Sequence, residues 1–142
     1  MKVKDLMTSQ VVKIHPQESV SVAARTMTHY NIGAVPVCDE AGQLCGILTD
    51  RDIVTRCLAG NRSPETTTVG DIMTSQVFTV QPEMEGAAAA HMMGARQVRR
   101  LPVVEQGNLQ GMISLGDLAN NDHCSYDATD ALVEITGNIS SR

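Results

Sequence analysis

Aromatic side chains are scarce in this chain of 142 residues: Phe, Tyr and Trp together make up 2% of it, and there is no tryptophan. A core must therefore be assembled from Val, Ile, Leu, Ala and Met, which pack tightly but leave few platforms on which a base could stack. Basic charge is not in excess either. A formal net charge of -5 with a pI near 5.2 excludes a nonspecific binder of nucleic-acid polymers or anionic membranes, since both need a basic surface. No apolar run reaches membrane-spanning length, and Met1-Lys2-Val3-Lys4-Asp5 lacks the hydrophobic segment of a signal peptide, so a soluble, cytoplasmic protein is expected. The four cysteines, Cys38, Cys45, Cys57 and Cys124, show no C-x-x-C spacing. In a reducing compartment they read as small buried hydrophobes; a Cys38 to Cys45 disulfide within one hairpin is conceivable but disfavoured there. No nucleophile stands with a base, and no carboxylate cluster could hold catalytic magnesium, so no enzyme is expected. His91 alone, and His123-Cys124 beside Asp122, fall short of the three or four converging groups a transition metal requires.

What is present is a repeat. Asp5-Leu6-Met7-Thr8-Ser9-Gln10-Val11 returns as Asp71-Ile72-Met73-Thr74-Ser75-Gln76-Val77, identical at six of seven positions. The correspondence continues: Pro16 falls on Pro82, Ala23-Ala24 on Ala89-Ala90, Met27 on Met93, and Val35-Pro36-Val37 on Leu101-Pro102-Val103. After a one-residue deletion Gly46 falls on Gly111 and Asp52 on Asp117. A period this long marks a duplicated supersecondary unit. Residues 1–60 form the first repeat, the Ser/Thr/Pro-rich 61–68 a linker, 69–121 the second repeat, and 122–142 a tail without counterpart.

Within each repeat the periodicity switches. Val11 to Ile14, closed by Pro16, reads as a strand; Val20, Ala23, Ala24 and Met27 then follow at helical spacing, as do Gly86, Ala89, Ala90 and Met93. Ala34 to Cys38 and Leu44 to Leu48 read as two strands joined by the turn Asp39-Glu40-Ala41-Gly42. A helix from Asp50 to about Ala59, stopped by Gly60-Asn61, completes the unit. Its second copy is short and breaks near Asn120-Asn121. In the tail, Ala128, Leu132, Val133, Ile135 and Thr136 outline an amphipathic helix that Gly137-Asn138 would end, with loose final residues. The class is α/β, two pseudo-symmetric strand-helix-strand-strand-helix repeats packed through their sheets, plus a C-terminal helix.

The stretch Leu44-Cys45-Gly46-Ile47-Leu48-Thr49-Asp50-Arg51-Asp52 runs a buried strand straight into a helix start, and Leu109 to Asp117 repeats it. A helix start exposes backbone N–H groups and suits an anion. Thr49 with Asp52, and Ser114 with Asp117, also fit a capping box that needs no ligand; the roles can coexist, because capping bonds can be exchanged for ligand bonds. Arg99-Arg100 read either as solvated charge or as phosphate partners, and Phe78 either as core or as a stacking surface. Met27, Met92 and Met93 read as packing.

With both Asp-[Leu/Ile]-Met-Thr leaders, both hydrophobic-Pro-Val strands and both Gly-x-[Ile/Met]-x-[Thr/Ser]-x-x-Asp corners, the chain resembles a stand-alone tandem of CBS domains over residues 1–120. The resemblance implies a non-enzymatic regulatory module, commonly a homodimer, binding AMP, ADP, ATP or another adenosyl compound between its repeats. No obligatory cofactor is expected with it; the acidic charge argues against a nucleic-acid polymer or membrane partner, and the sequence is silent on the client protein. The resemblance also implies that the corner hydroxyl meets phosphate or ribose while its aspartate accepts from ribose hydroxyls, a strong charged bond. Carried over, a first cleft comprises Ile47, Thr49 and Asp52, closed by Val77, Phe78, Arg99 and Arg100. A second comprises Met112, Ser114 and Asp117, closed by Val11, Val12, Gly33 and Ala34. On this reading the first cleft, with the arginines, takes the more phosphorylated ligand, or the only one. The alternatives are a ligand-free interaction homodimer and a metal- or redox-responsive protein using the cysteines and His123.

Overall fold

Both β-hairpins form where the hydrophobic-Pro-Val pattern predicts them in the computed structural model, which describes residues 1–140. Strand β1 (Ala34–Cys38) pairs antiparallel with β2 (Leu44–Thr49), and β3 (Arg100–Glu105) with β4 (Asn108–Ser114). In the first turn Asp39 Oδ1 accepts from the amides of Ala41 (2.9 Å) and Gln43 (3.0 Å), while Gly42 supplies a φ of 85°. The second turn has only Gln106 and Gly107 between the strands, at φ 51° and 83°, the left-handed pair that matches strand twist.

The strand expected over Val11–Ile14 does not form a ladder. Ile14 alone bridges, parallel to Val37: its N–H donates to the Pro36 carbonyl (3.1 Å) and its carbonyl accepts from the Cys38 amide (2.8 Å). Two prolines explain this. Extending a parallel ladder one step either way would require the N–H of residue 36 or of residue 16, and neither exists. Val80 repeats the single bridge beside Val103, limited in the same way by Pro102 and Pro82.

On the other edge of each hairpin lies a leader from the opposite repeat. Thr74 exchanges backbone bonds of 2.9 Å with Ile47, and Thr8 exchanges bonds of 2.9 Å with Met112. This contact is what the corner glycines serve: a Cβ on Gly46 would stand 2.5 Å from the Thr74 carbonyl oxygen, and one on Gly111 would press still closer on that of Thr8. The repeats of the sequence, 1–60 and 69–121, are therefore not the compact units. Contacts group Met1–Val11 with the chain from Phe78 onward as one unit and Val12–Val77 as the other. The short helices α1 (Val3–Leu6) and α4 (Val69–Ile72) carry the leaders, and Val3 and Val69 are fully buried.

Two eleven-residue helices back the hairpins, α2 (Val20–Tyr30) and α5 (Gly86–Arg96). Ser19 caps the first by accepting from the Val22 amide (3.1 Å), and Asn31 and Gln97 end the two in left-handed conformation. Val20, Ala23 and Met27 are buried on α2, with Ala24 only partly so; Gly86, Ala89, Ala90 and Met93 are buried on α5. The core of the Val12–Val77 unit adds Val35, Val37 and Leu48; that of the other adds Leu101, Val103 and Ile113.

The helix expected from Asp50 is helical but differently wound: one α turn, α3 (Asp50–Asp52), continues as a π-helical segment, Ile53–Leu58. Its counterpart α6 (Leu115–Ala119) is short and ends at Asn120, as predicted. The tail helix α7 (Ser125–Ser140) runs through Gly137-Asn138, where a stop was expected. Its buried residues are Ala128, Ala131 and Ile135, with Cys124 just before it, whereas Leu132 (40% exposed) and Val133 (62%) face outward. Small residues on α5 permit this close packing. A Cβ on Gly94 would lie 3.1 Å from Ala131 Cα, and one on Gly86 2.8 Å from Cys124 Sγ. The final residues expected to be loose, 141–142, lie outside those described.

Candidate functional site

Both strand-to-helix corners are capping boxes. Asp52 N–H donates to Thr49 Oγ1 (3.0 Å) and Thr49 N–H to Asp52 Oδ2 (3.0 Å); Asp117 N–H donates to Ser114 Oγ (3.1 Å) and Ser114 N–H to Asp117 Oδ2 (2.9 Å). The hydroxyl and the acid thus satisfy amides that the helix start leaves unpaired. The first corner opens one α turn continued by the π-helical segment, whereas the helix behind the second is only five residues long, so at the second corner the dipole adds little and anion affinity must come from side chains.

The two acids differ in what else holds them. Asp52 is 7% exposed; Arg56 Nε lies 3.7 Å from its Oδ1, and the Thr74 hydroxyl stands 3.4 and 3.5 Å from its two oxygens. Asp117 is only half-buried, and among the described residues its carboxylate accepts from Ser114 N–H alone. The position of Arg56 is filled in the second repeat by Asn121, which turns to the His123 amide (2.9 Å) instead. One carboxylate oxygen of Asp117 is therefore left for other donors.

Arg99 and Arg100 sit at the second corner. Arg100 pairs with Ser114 across the ladder, and the Arg99 carbonyl accepts from Leu115 N–H (2.8 Å). Neither guanidinium has an ion pair or hydrogen bond among the described residues, and both are exposed. They line a cavity of about 420 Å³ with Ser114, and with Thr129 and Leu132 from α7, within the range of about 300–1,000 Å³ usual for small-molecule sites. A matching cavity of about 470 Å³ in the other unit has Gly33 in place of Arg99 and Asp50 in place of Leu115, the Asp50 N–H donating to the Gly33 carbonyl (2.9 Å). One cavity is basic and the other acidic. An anion is favoured only in the first.

Of the residues expected for the first cleft, Ile47, Thr49, Asp52 and Val77 lie in the Val12–Val77 unit, and Phe78, Arg99 and Arg100 in the other. Of the second, Met112, Ser114, Asp117 and Val11 lie in the unit that also holds the arginines, while Val12, Gly33 and Ala34 lie in the Val12–Val77 unit. Phe78 is not core: it is 46% exposed, with the Arg96 guanidinium 4.3 Å from its ring centroid. Thr129 carries no signal in the sequence, being a lone threonine in a weak helix, and Leu132 reads there only as part of an apolar stripe.

All four cysteines are free, and burial pushes the Cys38 thiol above its ordinary value. His91 Nε2 lies 2.9 Å from Asp127 Oδ1 of α7. Among the described residues no three of His, Cys, Asp and Glu come together as a metal-holding group, and no helix is long and apolar enough to cross a membrane.

Comparison with known proteins agrees with the duplicated fold. The family model for the CBS domain matches twice, at residues 3–59 and 69–123. The CBS domain-containing protein YhcV of Bacillus subtilis is 41% identical over 134 residues, 94% of each chain. Among solved structures, Hypoxic Response Protein I with two coordinated zinc ions superposes with a TM-score of 0.78 at 33% identity, over 84% of this chain and 97% of that one. The CBS domain pair of protein MJ0100, in complex with 5′-methylthioadenosine and S-adenosyl-L-methionine, gives a TM-score of 0.73 at 29% identity, over 84% and 97%.

Proposed function

This chain belongs to the CBS-domain family, and from that premise we propose that it is a non-enzymatic sensor of a phosphorylated adenosyl compound such as AMP, ADP or ATP. The observation that carries the reading is the cavity at the second corner, which two guanidiniums without protein partners line together with Ser114, the capping-box partner of Asp117. Guanidinium forks suit phosphate oxygens, and a carboxylate with a free oxygen suits ribose hydroxyls. The adenosyl part of the reading is supported by the ligands of the MJ0100 domain pair, neither of which carries a phosphate. Of the residues expected from the sequence, Arg99, Arg100, Ser114 and Asp117 form the principal site. Thr49 and Asp52 form the weaker one, because Asp52 is already engaged by Arg56 and Thr74 and the adjoining cavity is acidic.

Thermal melts and calorimetric titrations with AMP, ADP, ATP and S-adenosylmethionine test this. A true ligand at a hundred times its dissociation constant adds about 2.7 kcal/mol of stability. No shift with any of them at millimolar concentration would overturn the reading.

A second reading, a homodimer that works through protein contacts, is favoured by one observation. Val22, Tyr30, Val54 and Leu58, on α2 and the π-helical segment, are large, apolar and exposed. Light scattering at two concentrations, with Val54→Lys as control, tests it; a wild-type chain that is monomeric throughout would exclude a homodimer.

A further inference from the structure

The tail helix α7 is absent from the first repeat and yet belongs to the core of its unit: Ala128, Ala131 and Ile135 are buried, and His91 on α5 meets Asp127 at 2.9 Å. Its next exposed row faces the cavity that holds the arginine pair. Ala128, Thr129 and Leu132 line one side, and Arg99, Arg100 and Ser114 another. The equivalent cavity of the Val12–Val77 unit is lined by α2, Gly33, Asp50 and the π-helical segment, so that α2 stands there where α7 stands here. The Thr129 hydroxyl donates to the Ser125 carbonyl (2.9 Å), which leaves its oxygen lone pairs free to accept.

We infer that α7 is a wall of the ligand site and determines which adenosyl compound it accepts. The inference rests on the reading above, that the arginine-lined cavity takes such a compound. The cavity is divided chemically: guanidiniums on the β3 side attract phosphate, and the apolar surface of Leu132 accepts the uncharged part of the ligand. A ligand that touches both sides ties α7 to the β3–β4 corner, so occupancy is felt along the tail. Leu132 is the residue through which this wall can be altered, because its side chain is partly exposed and contributes little to the core beneath α7.

The experiment uses the full chain with AMP and 5′-methylthioadenosine as probes. Leu132→Glu sets a carboxylate opposite the two arginines, where it competes with phosphate for them. AMP affinity is expected to fall about tenfold or more, while that of 5′-methylthioadenosine, which carries no phosphate, changes by less than about threefold. Leu132→Trp, which narrows the cavity without charge, is expected to weaken both. Hydrogen exchange on the wild type should show AMP protecting residues 125–136. Melting of each variant without ligand reports whether its fold is intact; if Leu132→Glu does not fold, Leu132→Trp and the wild-type exchange decide. Unchanged AMP binding in the folded variants, with exchange in α7 unmoved, would overturn the role of α7 and leave the cavity reading standing. A wild type that binds neither probe would overturn both.

Discussion

Arg56 is the latch of Asp52: its Nε lies 3.7 Å from the carboxylate while its Nη1 donates to the carbonyls of Ile72 and Met73, each at 3.1 Å. One side chain thus joins the first corner to the end of α4, and the corner acid of the first repeat serves the fold. Its counterpart Asp117 has no such partner. Asp52→Ala is therefore expected to destabilise the chain by about 1–3 kcal/mol, through the lost cap and the groups left unpaired. Asp117→Ala should cost less stability and weaken AMP binding more. Denaturant melts and calorimetry on the two variants check this; a larger loss of binding at Asp52 would restore the order expected from the sequence.

The corner glycines supply a second test. Gly46 and Gly111 are each overlaid by the backbone of a leader, with a methionine sulfur beyond it (Met73 Sδ 3.0 Å and Met7 Sδ 3.1 Å from the ideal Cβ). Backbone cannot step aside as a side-chain tip can. Gly46→Ala or Gly111→Ala is expected to cost about 1–3 kcal/mol by overpacking, and to release the corresponding leader first. Hydrogen exchange at Thr74 and Thr8 amides would register that release.

These contacts show what could be read from the sequence and what could not. The hairpins and both capping boxes were legible because they depend on residues a few positions apart, such as Thr49 with Asp52. The single-bridge strands were legible in principle, since Pro16 and Pro36 are in plain view, but their effect emerges only once the register of Ile14 against Val37 is known. The exchange of leaders was not legible: Asp-x-Met-Thr-Ser-Gln-Val is the same in both copies and says nothing of which hairpin each will join. The buried face of α7 was legible in part: Ala128 and Ile135 of the expected stripe are buried, but Ala131 joins them because Gly94 lets two backbones approach, while the more hydrophobic Leu132 and Val133 stay outside. Sequence pattern ranks residues by hydrophobicity, whereas a close helix crossing selects them by size. The same blindness to size hid the wall that α7 builds beside the arginines.

Acid should loosen the leader Met1–Val11 in a defined range. Lys2 and Lys4 donate to the two oxygens of Glu83 (2.7 and 2.8 Å), and these bonds hold its carboxyl down to about 2, below the ordinary 4.5. A depressed carboxylate binds fewer protons in the folded chain than in the unfolded one. Its contribution is thus complete above pH 4.5 and disappears as pH falls toward about 2. Because the groups are exposed, salt should weaken the effect. Glu83→Gln is expected to flatten the acid limb of the denaturation midpoint against pH, leaving the smaller slopes of Glu40 and Asp71, whose carboxyls are also lowered. An unchanged acid limb would show that the Lys2–Glu83–Lys4 bonds do not persist in solution.

The arginine pair carries the most direct prediction. Arg99 and Arg100 have no partner among the described residues, so removing them breaks no bond of the fold, and a loss of affinity reports on the ligand alone. A charge-assisted bond contributes about 1.5–3 kcal/mol, so replacing both by alanine should weaken AMP binding by about tenfold to a hundredfold and ATP binding further. Binding of 5′-methylthioadenosine, with no phosphate to hold, should change little. The salt dependence of AMP binding should shrink in the same variant, since screened charges no longer contribute. Loss of all three ligands together, with an intact melting transition, would mean that the arginines shape the cavity rather than meet a phosphate. An AMP affinity equal to that of the wild type would move the phosphate site away from the β3–β4 corner.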